Sequence, residues 1–165
     1  MDYPFKKVCV IDDSEIDRYI IASVIKRYCF ANEVIEFNMA QKALSYLEEN
    51  QNNPVAIPEI ILLDINMPEM NGFEFLENYK SFPRPLQKQI NIIILTSSNN
   101  PDDSAAAAKN PLVRVYLNKP LNETKLIRIV NTVKKNFSSN RLTQFYKFCL
   151  CLPAFVVLNA NKINS

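Results

Sequence analysis

Asp12 and Asp13 stand side by side in the segment VIDDSEID (residues 10–17), directly after an apolar run. Adjacent carboxylates repel each other unless something cationic lies between them. Three other residues with usable chemistry occupy the equivalent place after other apolar or mixed runs. Asp64 follows Ile60–Leu63, Thr96 follows Ile92–Leu95, and Lys119 follows Val113–Asn118. If these runs are neighbouring strands, three carboxylates, a hydroxyl and an ammonium share one rim. Three carboxylates demand a cation. All-oxygen ligation with few protein ligands and several waters suits Mg²⁺, with Mn²⁺ as the alternative ion. Asp13, Asp64 and a backbone carbonyl as direct ligands, with Asp12 acting through a bridging water, would leave positions for phosphate oxygens. A metal on one side and Lys119 on the other would clamp a phosphoryl group, whose transfer is stabilised mainly by positioning and positive charge. The nucleophile is then a carboxylate, an established strategy for phosphoryl groups.

Each residue alone has a plainer explanation. Asp is a favoured helix N-cap, and a threonine ending a strand or a lysine before proline is ordinary. The five together are not independent, because all fall at the one end of the sheet where open α/β folds bind ligands.

Composition removes several classes of chemistry. The chain has no histidine, which excludes His-based catalysis, His-ligated metals and a phosphohistidine. Its one glycine, Gly72, excludes glycine-rich phosphate loops. A net charge of +2 gives no broad footprint for nucleic acid. Cys9, Cys29, Cys149 and Cys151 match no zinc spacing and read as reduced thiols of a cytoplasmic protein. The opening MDYPFKK lacks the apolar core of a signal peptide. With 165 residues, 48% of them hydrophobic, the chain has the length of one domain with a substantial core.

The elements that must position the rim follow from pattern. VCVI (Val8–Ile11), IILLD (Ile60–Asp64) and IIILT (Ile92–Thr96) are short and rich in β-branched residues, as strands buried on both faces of a parallel sheet are. EVIEF (Glu33–Phe37) and VRVYLN (Val113–Asn118) are mixed and suit sheet edges. In the latter, alternation sets Val113, Val115 and Leu117 against Arg114, Tyr116 and Asn118. Five helical patterns fill the gaps. Ser14 with Asp17 reads as a capping box, followed by a stripe of Ile16, Ile20, Val24 and Tyr28. Asn38, Asn71 with Gly72, Asn100 with Pro101, and Asn122 open the others. Five alternating strands and helices give an α/β, doubly wound, five-stranded parallel sheet of order 2-1-3-4-5 with five helices, a flavodoxin-like arrangement.

The motifs VIDDSEID, LLDINMPEMNGFEFL, IIILTSS and LNKPL occur in the order in which the receiver domains of response regulators in two-component (phosphorelay) signalling carry theirs. DINMPEMNG closely resembles that family's Asp-x-x-Met-Pro-x-x-x-Gly loop, and the resemblance extends over residues 5–136. It implies roles for single residues. Asp64 matches the phosphoacceptor, and Asp12 and Asp13 match the acidic pair that holds Mg²⁺. Asn66 matches the position lending a backbone carbonyl to the metal. Thr96 matches the hydroxyl that turns toward the phosphoryl group. Lys119 matches the phosphate-pairing lysine, whose bond to Pro120 is typically cis in the family. Tyr116 matches the aromatic that changes rotamer with phosphorylation. The implied partners are a sensor histidine kinase or a histidine phosphotransfer protein, together with a downstream protein.

The resemblance implies a single-domain phosphoacceptor that catalyses only its own phosphorylation and dephosphorylation. A phosphorylation-independent receiver-like adaptor is one rival, although such proteins usually lack part of the acidic set. A phosphatase of the haloacid dehalogenase type is another. It would want an Asp two residues after the nucleophile, where this chain has Asn66. No DNA-binding module is expected. A homodimer through the fourth helix, fifth strand and fifth helix, or a monomer, both fit. The receiver is expected over residues 1–137. Residues 138–165 change sharply in composition, and their apolar stretch FCLCLPAFVVL is shorter than the roughly 20 residues that span a bilayer. Three readings of this tail stay open: an element packed on the domain or on a dimer partner, a non-native extension, or a membrane or partner contact.

Overall fold

The computed structural model describes residues 3–133. Five parallel strands form one sheet: β1 (Phe5–Ile11), β2 (Ala31–Phe37), β3 (Ile60–Leu63), β4 (Asn91–Thr96) and β5 (Val113–Asn118). Their spatial order is β2-β1-β3-β4-β5, as expected, with the two mixed strands at the edges. β3 is buried at every position, because helices cover both faces of a central parallel strand.

Alternation divides the core. Val8, Val10, Ile60, Leu62, Ile93 and Leu95 face α1 (Glu15–Arg27) and α6 (Glu123–Val133), which contribute Ile21, Ile25, Leu126, Ile129 and Val130. Cys9, Ile11, Ile61, Leu63, Ile92 and Ile94 face the opposite layer, formed by α2 (Ala40–Asn50), α3 (Gly72–Tyr79), α4 (Arg84–Gln89) and α5 (Pro101–Lys109). Leu44, Leu47, Phe75, Leu76 and Tyr79 fill that layer. Each such side chain contributes roughly 1.5–3 kcal/mol on burial.

Four local expectations need correction. The described residues hold six helices, not five, the addition being α4. It has only six residues and starts at Pro83–Arg84–Pro85, too short and too proline-rich to show a helical period. The α1 stripe is rotated: Ile21 and Ile25 are buried, whereas Ile16 and Ile20 are exposed. Asn38 does not cap α2; the N-cap is Met39, without a side-chain hydrogen bond, and the Asn38 side chain accepts from Lys42 Nζ at 3.3 Å. In β5 the register slips where it pairs with Ile92 and Ile93, so Val113 packs in the Tyr116 layer rather than with Val115 and Leu117. Cys149, Cys151 and the 138–165 segment lie outside the described residues.

Candidate functional site

Parallel pairing fixes the rim. The β1–β3 ladder ends on Ile11 and Leu63, so the next residues, Asp12 and Asp64, lie together beyond the strand ends. Backbone hydrogen bonds extend the sheet by one step: the Asp64 N–H donates to the Ile11 carbonyl at 2.9 Å, and the Asp12 N–H to the Phe37 carbonyl at 3.1 Å. On the other side, the Lys119 N–H donates to the Thr96 carbonyl at 2.8 Å. The predicted carboxylates, hydroxyl and ammonium therefore converge. The Lys119–Pro120 bond is cis.

Asp12, Asp64 and Thr96 are almost wholly buried, at 1%, 4% and 0% exposure, while Asp13 is exposed. One oxygen from each of Asp12, Asp13 and Asp64 falls within a 4.8 Å cluster. Asp12 Oδ1 accepts from the Ser14 N–H at 3.0 Å, and Asp64 Oδ1 from the Ile65 N–H at 2.7 Å. Lys119 Nζ lies 2.7 Å from Asp12 Oδ2 and pairs with that buried oxygen. Three clustered carboxylates around one ammonium leave net negative charge that suits a hard divalent cation.

The electrostatics point the same way. Burial raises the Asp12 carboxyl above the usual carboxylate range, and neighbouring Asp64 adds to the rise; Lys119 and the Ser14 N–H oppose it without cancelling it. Burial alone would lower Lys119, but the carboxylates of Asp12, Asp17 and Asp64 more than offset this and push the ammonium up. The site is thus a negative pocket held by one firmly protonated lysine.

The remaining predicted residues have distinct placements. Thr96 Oγ1 accepts from the Ser98 N–H at 3.2 Å. Asn66 lies two residues past Asp64 in the β3–α3 loop, with its side chain exposed. Tyr116, half-buried on β5, donates its hydroxyl to the Ser98 carbonyl at 3.3 Å, and Asn118 Nδ2 donates to the same carbonyl at 3.1 Å. The segment after Thr96 is thereby tied to β5.

Three residues beyond the predicted set help to build the site. Asp17, expected to complete the Ser14 capping box, uses only its backbone N–H for the cap, at 3.2 Å from Ser14 Oγ. Its carboxylate turns inward and takes a hydrogen bond from Lys119 Nζ at 2.7 Å. Arg18 Nη1 donates to the carbonyls of Asp12 and Asp13, at 2.7 and 3.0 Å, pinning the acidic turn from below. Gly72 permits close approach: a Cβ there would lie 2.5 Å from the Asp64 carbonyl oxygen. The uniqueness of Gly72 and its place in the DINMPEMNG loop were the available signal for the third; for Asp17 and Arg18 no local pattern distinguishes these roles from an acidic first turn and a solvated charge.

Comparison with known proteins agrees with this geometry. The model of the response regulator receiver domain family matches residues 8–131. Response regulator Rcp1 of Synechocystis sp. is 31% identical over 134 residues, covering 79% of this chain and 88% of that protein. The crystal structure of a two component response regulator from Cytophaga hutchinsonii superposes with a TM-score of 0.75 at 29% identity, covering 80% of this chain and 98% of its own. The Mn²⁺-bound form of Rcp1 superposes with a TM-score of 0.60 at 30% identity, over 79% of this chain and 93% of its own.

Proposed function

The chain belongs to the response regulator receiver domain family of two-component signalling, and from that membership we propose that it is a Mg²⁺-dependent phosphoacceptor with Asp64 as the nucleophile. The observation that carries the proposal is the convergence of Lys119 Nζ on Asp64 Oδ2, at 3.1 Å, beside the three-carboxylate cluster. A carboxylate oxygen of Asp64 forms a bond to phosphorus while the bond from phosphorus to the donor's imidazole nitrogen or acyl oxygen breaks, and the electron pair leaves with the donor. Asp12, Asp13, Asp64 and the Asn66 carbonyl would hold the metal, which supplies positive charge against phosphoryl oxygens. The manganese-bound relative supports a divalent ion, and the donor set favours Mg²⁺ among abundant ones.

Lys119 orients and neutralises the transferring group from the opposite side. Thr96 is placed to offer its hydroxyl to the new phosphoryl oxygens. Phosphorylation adds close to two negative charges and three strong acceptors at this rim. Movement of Thr96 would release the Ser98 carbonyl that holds Tyr116, which links the rim to the face formed by α5, β5 and α6. That face is the proposed readout surface, for a downstream protein or a second copy of the chain. The output is a shift between two packings.

Beside Asp13, α1 exposes Ile16, Tyr19 and Ile20, at 72%, 73% and 42% exposure. An apolar patch against the acceptor suits a phosphoryl-donor protein, either a histidine kinase or a phosphotransfer protein. No described helix is long and apolar enough to cross a membrane. We place the activity in the cytoplasm, where such donors act.

The test is phosphate incorporation from acetyl phosphate, read by intact mass with and without Mg²⁺. Wild type should gain one phosphoryl group, and Asp64→Asn or removal of Mg²⁺ should abolish the gain. No incorporation by folded, Mg²⁺-bound protein would overturn the proposal and favour a phosphorylation-independent adaptor.

A further inference from the structure

Asp17 stands outside the metal-binding set, yet its carboxylate takes a short hydrogen bond from Lys119. Nζ donates to Asp17 Oδ2 at 2.7 Å and to Asp64 Oδ2 at 3.1 Å. It also lies 2.7 Å from Asp12 Oδ2, so the ammonium is shared among three carboxylates. The first turn of α1 and the residue after β5, 102 positions apart in sequence, are joined through this pair. The Asp17 side chain is not needed to start the helix, because the cap on Ser14 uses the backbone N–H.

An ammonium has three N–H donors and no acceptor. The donor given to Asp17 does not depend on the carboxylates that a cation needs. A cation entering among Asp12, Asp13 and Asp64 must compete with Lys119 for Asp12 and Asp64. Asp17 gives the ammonium a partner that the cation does not contest.

Resting on the reading of Asp12, Asp13 and Asp64 as the Mg²⁺ site, we propose that Asp17 is a positioning residue that gives the Lys119 ammonium a partner outside the metal-binding set, so that it can yield Asp12 to the cation while staying beside Asp64. Neutralising Asp17 leaves the ammonium only Asp12 and Asp64 as carboxylate partners and removes one negative charge from the pocket. Both effects weaken cation binding. Glu15 separates them: it is an exposed carboxylate of the same helical turn, and it supplies field without the contact.

The experiment is a calorimetric Mg²⁺ titration of the full chain, without any phosphoryl donor. Asp17→Asn should weaken binding by on the order of 3- to 10-fold. Glu15→Gln, screened by solvent, should weaken it by less than about 2-fold. In a Lys119→Met background the additional Asp17→Asn substitution should cost no more than Glu15→Gln does, since the coupling runs through the ammonium. Asp17→Glu, which keeps the charge, should restore much of the affinity. Equal effects of Asp17→Asn and Glu15→Gln would overturn the proposal, as would an Asp17 effect that persists without Lys119. An unsubstituted control guards against misfolded variants: the Lys119 ammonium resonance of wild type should stay hydrogen-bonded through Mg²⁺ loading, and its collapse would overturn the proposal. Acetyl phosphate added to the same samples separates the two ideas. Mg²⁺ binding as described without phosphoryl incorporation removes the phosphoacceptor reading alone, and no Mg²⁺ binding by wild type removes both.

Discussion

Asp12 and Gly72 illustrate how single residues set the terms of this site. Asp12 is buried, is raised by that burial, and has the Lys119 ammonium 2.7 Å from its Oδ2. Such a group is costly to keep unless something cationic approaches it. Gly72 is required for a different reason. Its φ is not positive, so the demand is space rather than backbone freedom. Its N–H donates to the Ile65 carbonyl at 2.9 Å, which holds the loop against the Asp64 carbonyl. Gly72→Ala should therefore cost about 1–3 kcal/mol, the usual range for overpacking, measured as a lower urea midpoint. It should also slow phosphoryl incorporation, because the displaced backbone is that of Asp64. Cys9 gives a pH dependence. Burial pushes its thiol far above the ordinary 9.0. The unfolded chain releases this proton above 9.0 while the folded chain keeps it, so the native state binds more protons and stability falls as pH rises. Cys9→Ala should flatten that alkaline loss; urea midpoints taken below and above 9.0 would read it. An unchanged slope would assign the loss to other groups.

At the scale of elements, α1 does two jobs with different faces. Ile21 and Ile25 anchor it to the sheet, and Ile16, Tyr19 and Ile20 stay in solvent beside the acidic rim. Substitutions on the two faces should behave oppositely. Ile25→Ala should destabilise by about 2–5 kcal/mol, as core truncations do. Ile20→Ser should change stability by less than about 0.5 kcal/mol and leave incorporation from acetyl phosphate intact, yet slow transfer from a protein donor. Equal transfer from both donor types would remove α1 as the docking face. α3 is built differently. Its start is a full capping box between Asn71 and Glu74, which fixes the end of the loop leaving Asp64.

For the whole molecule, one sheet brings four crossover connections to the same end, so residues distant in sequence meet there. Lys119 reaches Asp64 across 55 positions and Asp17 across 102. The family match ends at residue 131, within α6. We therefore expect removal of residues 138–165 to leave the melting temperature and phosphoryl incorporation unchanged. A truncated chain that lost its cooperative transition would make that segment part of the folded unit.

The sequence by itself determined the strand order, the rim and the five polar residues on it. The reason is local: short apolar runs rich in β-branched residues favour doubly covered strands, and the polar residue that ends such a run lies at the sheet's carboxyl edge. It also exposed Gly72 as unique. What it left open depended on rotation and reach. The stripe on α1 drifted because isoleucines occupy two neighbouring faces, Ile16 and Ile20 on one, Ile21 and Ile25 on the other, and only contact with the sheet chose between them. The slip in β5 arises from pairing with Ile92 and Ile93, which no single strand can announce. Asp17 looked like part of a cap because its spacing from Ser14 was right. The tertiary structure gave its carboxylate to Lys119 instead, since a protonated lysine amid buried carboxylates offers a stronger partner than a helix-terminal N–H.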